Sequence, residues 1–308
     1  MTTLALEAVS RWYGDVVAVN DVSMTIGPGV TGLLGPNGAG KSTLIALMSG
    51  FLPPSAGAVT LDGDQVWHDE GVYRRIGLVP EREALYDGVS GWEFVLANAR
   101  LHGLADPRGA ARRALGTVDM TGPQDRPLSS YSKGMKQRVK VASALVHDPP
   151  VLLLDEPFNG MDPRQRLHLM ELLAAMGAEG RTVLFSSHVL EEVEQIATSV
   201  EVVVAGRHAA SGDFRKIRRL MTERPHRYTV RSDDDRALAA ALVADASVTG
   251  VTLEPLGEGG GRLHVQSADL SGFVTALPRL ARERRVRLHE VVPEDESLES
   301  VFAYLVAR

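Results

Sequence analysis

The sequence predicts an α/β domain followed by a small α+β domain of the ferredoxin-like kind, and three observations carry that prediction. From Leu4 to about Ser211, short β-branched or aliphatic runs alternate with longer helical patterns punctuated by Gly and Pro, the rhythm of strands and crossover helices. Val151 to Leu154 and Val183 to Ser186 are short and apolar on both sides, as strands buried on both faces of a sheet are. After a basic stretch at Lys216, Arg218 and Arg219, the pattern restarts as strand, helix, strand, strand, helix, strand.

Taken in order, Val30 to Leu34 is an apolar run that ends at Gly35, and helical composition follows from Lys41 to Ser49. A strand, a glycine loop and a helix are therefore expected in succession. Between about residues 83 and 147 the pattern turns to helical segments rich in Ala, Leu and Arg, such as Trp92 to His102 and Pro107 to Leu115, which reads as a helical insertion in the sheet domain. The first domain is placed at residues 1–218 and the second at 225–308. Within the second, strands are expected at Arg227 to Arg231, Val248 to Pro255, Arg262 to Gln266 and Val286 to Val292, helices at Arg236 to Ala244 and Leu270 to Arg284, and a last helix from Ser297. Gly257 to Gly261 sits between two of these strands with no Lys-Ser and no helix after it, so it reads as a hairpin turn.

Composition narrows the function classes. The 308 residues carry a net charge of −6, which argues against a protein built to coat nucleic acid. With no cysteine, disulfides, thiolate zinc sites and cysteine nucleophiles are excluded. The nine histidines lack metal-ligand spacing, and the Arg-rich stretch Arg282 to Arg287 reads as a solvated helix edge. The start, MTTLALEAVS, lacks the basic and apolar regions of a secretion signal, and no run approaches the roughly 20 apolar residues of a membrane span. The expectation is a cytoplasmic chain whose work on a membrane goes through a partner.

Chemistry concentrates in two segments. Gly35-Pro36-Asn37-Gly38-Ala39-Gly40-Lys41-Ser42-Thr43 satisfies G-x-x-x-x-G-K-[ST] in full. Glycines there let backbone N–H groups turn inward around phosphate oxygens, and the following helix presents its positive end to them. Lys41 is expected to neutralise β- and γ-phosphate charge, and the Ser42 hydroxyl to ligate Mg²⁺. Val151 to Leu154 delivers Asp155 and Glu156 at the carboxyl edge of the sheet, where ligands of open α/β sheets bind. Asp155 is expected to hold the metal through water and Glu156 to polarise the attacking water.

A third segment, Tyr131-Ser132-Lys133-Gly134-Met135-Lys136-Gln137-Arg138, resembles the signature sequence of ABC ATPases. That resemblance implies a P-loop ABC-type ATPase domain with a helical subdomain, binding ATP and Mg²⁺. It further implies that Ser132 and Gly134 face the γ-phosphate held by an opposite subunit, with Lys133 between them in the same trans signature. Tyr13 resembles the aromatic that stacks on adenine, Asn159 to Asp162 the loop that communicates across the dimer, and His188 the switch histidine of the γ-phosphate. The segment Ile76 to Glu81 departs from the family: Glu81 stands where most members carry the Gln that reaches metal and water. Lys133 and Met135 depart as well, replacing the usual glycine and glutamine. These variants, and the close Leu298 to Phe302, resemble the subgroup whose permeases are ABC-2 exporters.

The resemblance implies an ATP-hydrolysing subunit that energises a separate integral membrane permease, for export, and sits at the inner face of the membrane through it. It pairs with a second ATPase subunit, a homodimer being the simpler case, and no nucleic acid is expected. The rival reading is a soluble ABC ATPase acting on DNA or the translation machinery. Such proteins carry a long coiled coil or a second cassette, and this chain has neither a long heptad run nor a repeat of the motifs.

Overall fold

The computed structural model describes residues 2–82, 85–213, 226–256 and 260–293. The chain divides into two compact units, Met1–Asp213 and Phe214–Arg308.

The first unit is built on a six-stranded sheet formed by β3 (Gly29–Leu34), β6 (Ile76–Val79), β7 (Val151–Leu154), β8 (Thr182–Ser187), β9 (Ser199–Val204) and β10 (Arg207–Gly212). Its strand order is β10-β9-β3-β8-β7-β6, parallel except for the β10 edge. Every residue of β7 and β8 is buried, which is why their sequences are unbroken apolar runs rather than alternating ones. On one face lies a four-stranded antiparallel sheet, β2-β1-β4-β5, of β1 (Leu4–Tyr13), β2 (Val16–Ile26), β4 (Ala56–Leu61) and β5 (Asp64–Gln65). Helix α1 (Lys41–Met48) packs against β1, β2 and β4. Leu6, Val22, Leu44, Met48, Leu153 and Leu184 belong to the shared core. Sequence periodicity over the whole segment predicted α/β alternation and not this antiparallel layer. Its signal is local: from Met24 to Ile26 buried and exposed positions alternate, as in a strand with one wet face. A four-residue turn of helix, α2 (Glu70–Tyr73), precedes β6.

The opposite face of the parallel sheet is covered by α6 (Pro163–Ala178) and α7 (Leu190–Ile196). Close approach there uses glycine: a Cβ on Gly177 of α6 would lie 2.6 Å from Val30 Cγ2, and one on Gly32 would lie 2.5 Å from Val193 Cγ1 of α7.

Residues 91–145 contain α3 (Gly91–Leu101), α4 (Pro107–Thr117) and α5 (Lys133–Leu145), packed on one another. Each start is written in the sequence. Ser90 and Glu93 form a reciprocal capping box, Asp106 caps α4 ahead of Pro107, and Ser132 caps α5 by accepting from Met135 N–H. Helix α5 also packs on β6, so this insertion reaches the sheet edge.

In the second unit, β11 (His226–Ser232), α8 (Asp235–Val243), β12 (Val248–Leu256), β13 (Gly260–Ser267), α9 (Leu270–Glu283) and β14 (Leu288–Pro293) follow in βαββαβ order. The sheet runs β12-β13-β11-β14, antiparallel throughout, which is the ferredoxin-like arrangement. Its own core includes Val230, Leu242, Val265, Leu277 and a Tyr228–Phe273 stack with centroids 4.6 Å apart. The basic stretch 216–219, the turn at 257–259, the helix expected from Ser297 and the segment Leu298 to Phe302 lie outside the described residues.

Candidate nucleotide-binding and hydrolytic site

Strand order alone brings the motifs together. In β3-β8-β7-β6 each neighbour lies about 4.8 Å from the next, so four loops emerge side by side at the carboxyl edge. They are Gly35–Gly40 after β3, His188 after β8, Asp155 and Glu156 after β7, and Pro80 and Glu81 after β6.

The loop after β3 depends on its glycines. Gly38 and Gly40 hold φ of 80° and 101°, in the left-handed region, and a Cβ on Gly40 would lie 2.6 Å from the Ala18 carbonyl. A Cβ on Gly35 would overlap the Val203 carbonyl. Among the described residues no side chain caps α1, so its N-terminal N–H groups stay directed at the loop. Lys41, 7% exposed, folds back so that Nζ donates to the Gly35 carbonyl at 2.7 Å and the Pro36 carbonyl at 3.4 Å, with Glu156 Oε1 at 3.9 Å.

Asp155 and Glu156 are organised by a residue that the motifs do not name. Ser186 on β8 donates from Oγ to Asp155 Oδ1 at 2.6 Å and accepts the Glu156 N–H at 2.8 Å. The two carboxylates end in different surroundings. Asp155 is buried and bonded, whereas Glu156 turns through φ 48° towards His188, whose Nδ1 lies 2.9 Å from Glu156 Oε2. Burial pushes the Glu156 carboxyl above its ordinary 4.5, opposed by the His188 contact and the Lys41 charge. Asn159 Nδ2 approaches the same Oε2 at 3.5 Å.

Asn37 to Thr43 line a cavity of roughly 370 Å³ together with Ala18, Glu81 and Glu156. A larger cavity of roughly 660 Å³ shares Ser42, Thr43 and Glu81 with it and is also lined by Tyr13, Pro80 and Asp155. Tyr13, 45% exposed at the end of β1, has the Arg11 guanidinium 4.9 Å from its ring centroid. Arg11 was not anticipated, and its only sequence signal is a cation two positions before the aromatic. Glu81 is held from below: Lys140 of α5 donates to the Pro80 carbonyl at 2.7 Å and the Glu81 carbonyl at 3.3 Å.

Ser132, Lys133, Gly134 and Asp162 line neither of these cavities. They form a second cluster. A Cβ on Gly160 would lie 2.9 Å from Lys133 Cβ, so the lysine that replaces a family glycine rests on the Asn159–Asp162 turn. Gly134 is buried against the Gln165 amide, and Asp162 caps α6 by accepting from Gln165 N–H at 2.9 Å.

The fold and its carboxyl-edge loops define a P-loop nucleotide-binding domain with a helical insertion. The ABC transporter family profile matches residues 19–159. Along its length the chain is 30% identical to the linearmycin resistance ATP-binding protein LnrL of Bacillus subtilis, covering 99% of this chain and 98% of that one. It is also 30% identical to the bacitracin transport ATP-binding protein BcrA of Enterococcus faecalis, over 97% and 95% of the two chains. A solved ATP-binding subunit of an ABC transporter superposes with a TM-score of 0.65 at 30% identity, covering 70% of this chain and 92% of the other. A bacterial ABC transporter cassette solved as a dimer shares the fold, with a TM-score of 0.64 at 23% identity over 68% and 98% of the chains. The chain belongs to the ABC transporter ATP-binding protein family.

Proposed function

We propose that this chain hydrolyses ATP as one half of a nucleotide-sandwich dimer and so energises a separate membrane permease for export. One observation carries the reading. The residues that can bind and cleave a triphosphate share two cavities, which Ser132, Lys133, Gly134 and Asp162 do not line; these group instead around the turn Asn159–Asp162. In this reading a second copy supplies its Ser132 and Gly134 to the cavities of the first, and the first does the same in return.

In this reading Gly35 to Gly40 and the end of α1 wrap the phosphates, Lys41 leaves its carbonyl partners for the β- and γ-phosphates, and Tyr13 stacks on adenine. Mg²⁺ fits the donor set: Ser42, Asp155 and Glu81 line one cavity, yet among the described residues no group of three His, Cys, Asp or Glu side chains converges as a metal cage. That suits an ion that keeps waters and takes phosphate oxygens as ligands. Bound there, Mg²⁺ would supply charge neutralisation for the phosphates. Glu156 accepts the proton of the attacking water, and His188 orients Glu156 and meets the γ-phosphate. Ser132 and Gly134 of the second copy close the site and exclude bulk water, which strengthens each of these contacts.

Export is supported by relatives named for linearmycin resistance, bacitracin transport and, in Streptomyces coeruleorubidus, daunorubicin resistance. None of these names favours the DNA or translation alternative. The permease is another chain and this one works at its inner face, as relatives named as ATP-binding proteins of transport and resistance suggest; among the described residues no helix is long and apolar enough to cross a membrane. A groove lined by Pro80, Tyr86, Phe94, Leu101 and Lys140 joins the insertion to the Glu81 loop and is where the permease docks. Trp92, in contrast, turns towards Arg112 of α4, its ring centroid 6.0 Å from the guanidinium. Residues 1–218 act as the ATPase domain and 225–308 as a separate small domain.

The reading is tested by purifying the tagged chain from solubilised membranes and assaying ATP turnover. A polytopic membrane protein recovered with it, and turnover abolished by Glu156→Gln with ATP binding retained, are the expected results. Recovery with ribosomes or DNA-repair factors and no membrane protein would overturn it.

A further inference from the structure

The first turn of α6 touches the signature segment and, through Glu192, reaches the turn that carries His188. Gln165 packs its amide against Gly134 of the signature segment. The next residue, Arg166, directs Nη1 to 3.5 Å from Glu192 Oε1 on α7. Glu192 is 5% exposed, and its other oxygen, Oε2, accepts from Ser187 Oγ at 2.6 Å. Ser187, itself fully buried, accepts the Val189 N–H at 2.9 Å. Ser187 and Val189 flank His188, whose Nδ1 meets Glu156 at 2.9 Å.

This arrangement has a physical cost that calls for a purpose. A carboxylate removed from water is tolerated when charge and hydrogen bonds reach it, and here they come from two different elements. Glu192 therefore links α6 to the turn after β8. The turn that presents His188 is thereby fixed to α6 and not only to the end of β8. His188 itself is 48% exposed on its side chain, so packing alone does not fix its ring.

We propose that Glu192, held by Arg166, is a positioning residue for His188, and that the first turn of α6 thereby ties a chain's signature segment to that chain's own hydrolytic site. The proposal rests on the roles given above to His188, Glu156, Ser132 and Gly134. When the partner's ATP is gripped by Ser132 and Gly134, the load reaches Gln165, then Arg166, then the turn that carries His188. Occupancy of the opposite site thus speeds a chain's own site without being required for it.

The test uses the purified full-length chain and measures kcat, KM for Mg-ATP, the Hill coefficient in ATP and the thermal midpoint for Glu192→Gln, Ser187→Ala, Arg166→Met and Arg166→Lys. Glu192→Gln is expected to lower kcat on the order of tenfold or more, since small misplacements of a reacting group have effects of that size. KM changes by less than kcat, because Lys41, the phosphate loop and Tyr13, which hold most of the nucleotide, do not move with the His188 turn, and the Hill coefficient falls towards one. Arg166→Lys retains most of kcat and of the cooperativity, and Arg166→Met loses both. A purely structural role would instead lower the thermal midpoint, with kcat and cooperativity recovering at lower temperature. That result, or wild-type kcat and Hill coefficient in Glu192→Gln, overturns the proposal. If Glu192→Gln does not fold, the contrast between Arg166→Lys and Arg166→Met, with Ser187→Ala beside it, decides the matter on the same readouts. Glu156→Gln is run alongside. Full turnover in that control overturns the hydrolytic reading itself, whereas an inactive control beside a wild-type Glu192→Gln overturns this inference alone.

Discussion

Glu156 holds a backbone conformation that glutamate adopts only at a cost, with φ of 48°. The strain lies where the chain leaves β7 and must aim a carboxylate at the cavity rather than continue the strand. Burial raises its pKa above 4.5. In the unfolded chain the group keeps its ordinary value, so the folded state is favoured most when Glu156 is protonated. That stability is lost as pH rises through the folded-state pKa. Glu156→Gln, which mimics the protonated form, is therefore expected to melt at a higher temperature than wild type at neutral pH, and the gap to close as pH falls. Melting curves across pH check this. The same group is the proposed base, so Glu156→Gln should lower kcat by about a hundredfold or more with nucleotide affinity retained, as measured by turnover and by equilibrium binding. Lys41, Ser42, Asp155 and Glu156 were legible because each belongs to a contiguous segment whose spacing is itself the signal. Ser186 was not. Its contacts with Asp155 and Glu156 bridge 31 and 30 positions of sequence and exist only through the pairing of β7 with β8.

At the scale of elements, most of the helices and strands that position the site were readable because their ends carry caps or glycines. The helix expected from Lys41 to Ser49 runs Lys41–Met48, and the strand at Val151–Leu154 has those bounds. The four-stranded antiparallel sheet was missed for a physical reason. Each of its strands has one wet face, and β1 is broken by register shifts on both sides, so no long uniform period marks it. Two predictions belong here. Ser90→Ala removes the capping hydroxyl of α3 and should cost about 1 kcal/mol in denaturant unfolding of the full chain. Phe185→Ala opens a cavity beside Phe158, against which it sits edge-on with centroids 5.5 Å apart, and should cost about 3–5 kcal/mol. The first substitution lies away from the hydrolytic edge and should leave kcat near wild type, while the second, one residue before Ser186, should lower it.

At the scale of the whole molecule, the account turns on a site divided between two copies. A single unit gathers the phosphate loop, Glu81, Asp155 and Glu156 around two cavities that Ser132 and Gly134 do not line. The proposed division rests on family resemblance, since the spacing of Ser132 relative to Lys41 carries no sign of whether one chain or two would join them. Full-length similarity to resistance and transport ATP-binding proteins extends through the second unit as well.

The most direct measurement of the divided site is complementation between two inactive chains. One carries Lys41→Ala, which disables its own phosphate loop, and the other carries Gly134→Asp, which disables what it offers to a partner. Mixed and allowed to exchange, they form heterodimers in which one site joins an intact Lys41 to an intact Gly134. The account predicts that the mixture hydrolyses ATP where neither chain does alone, with a rate that rises with protein concentration. A mixture as inactive as its components, beside a wild-type chain whose specific activity is independent of concentration, would contradict it.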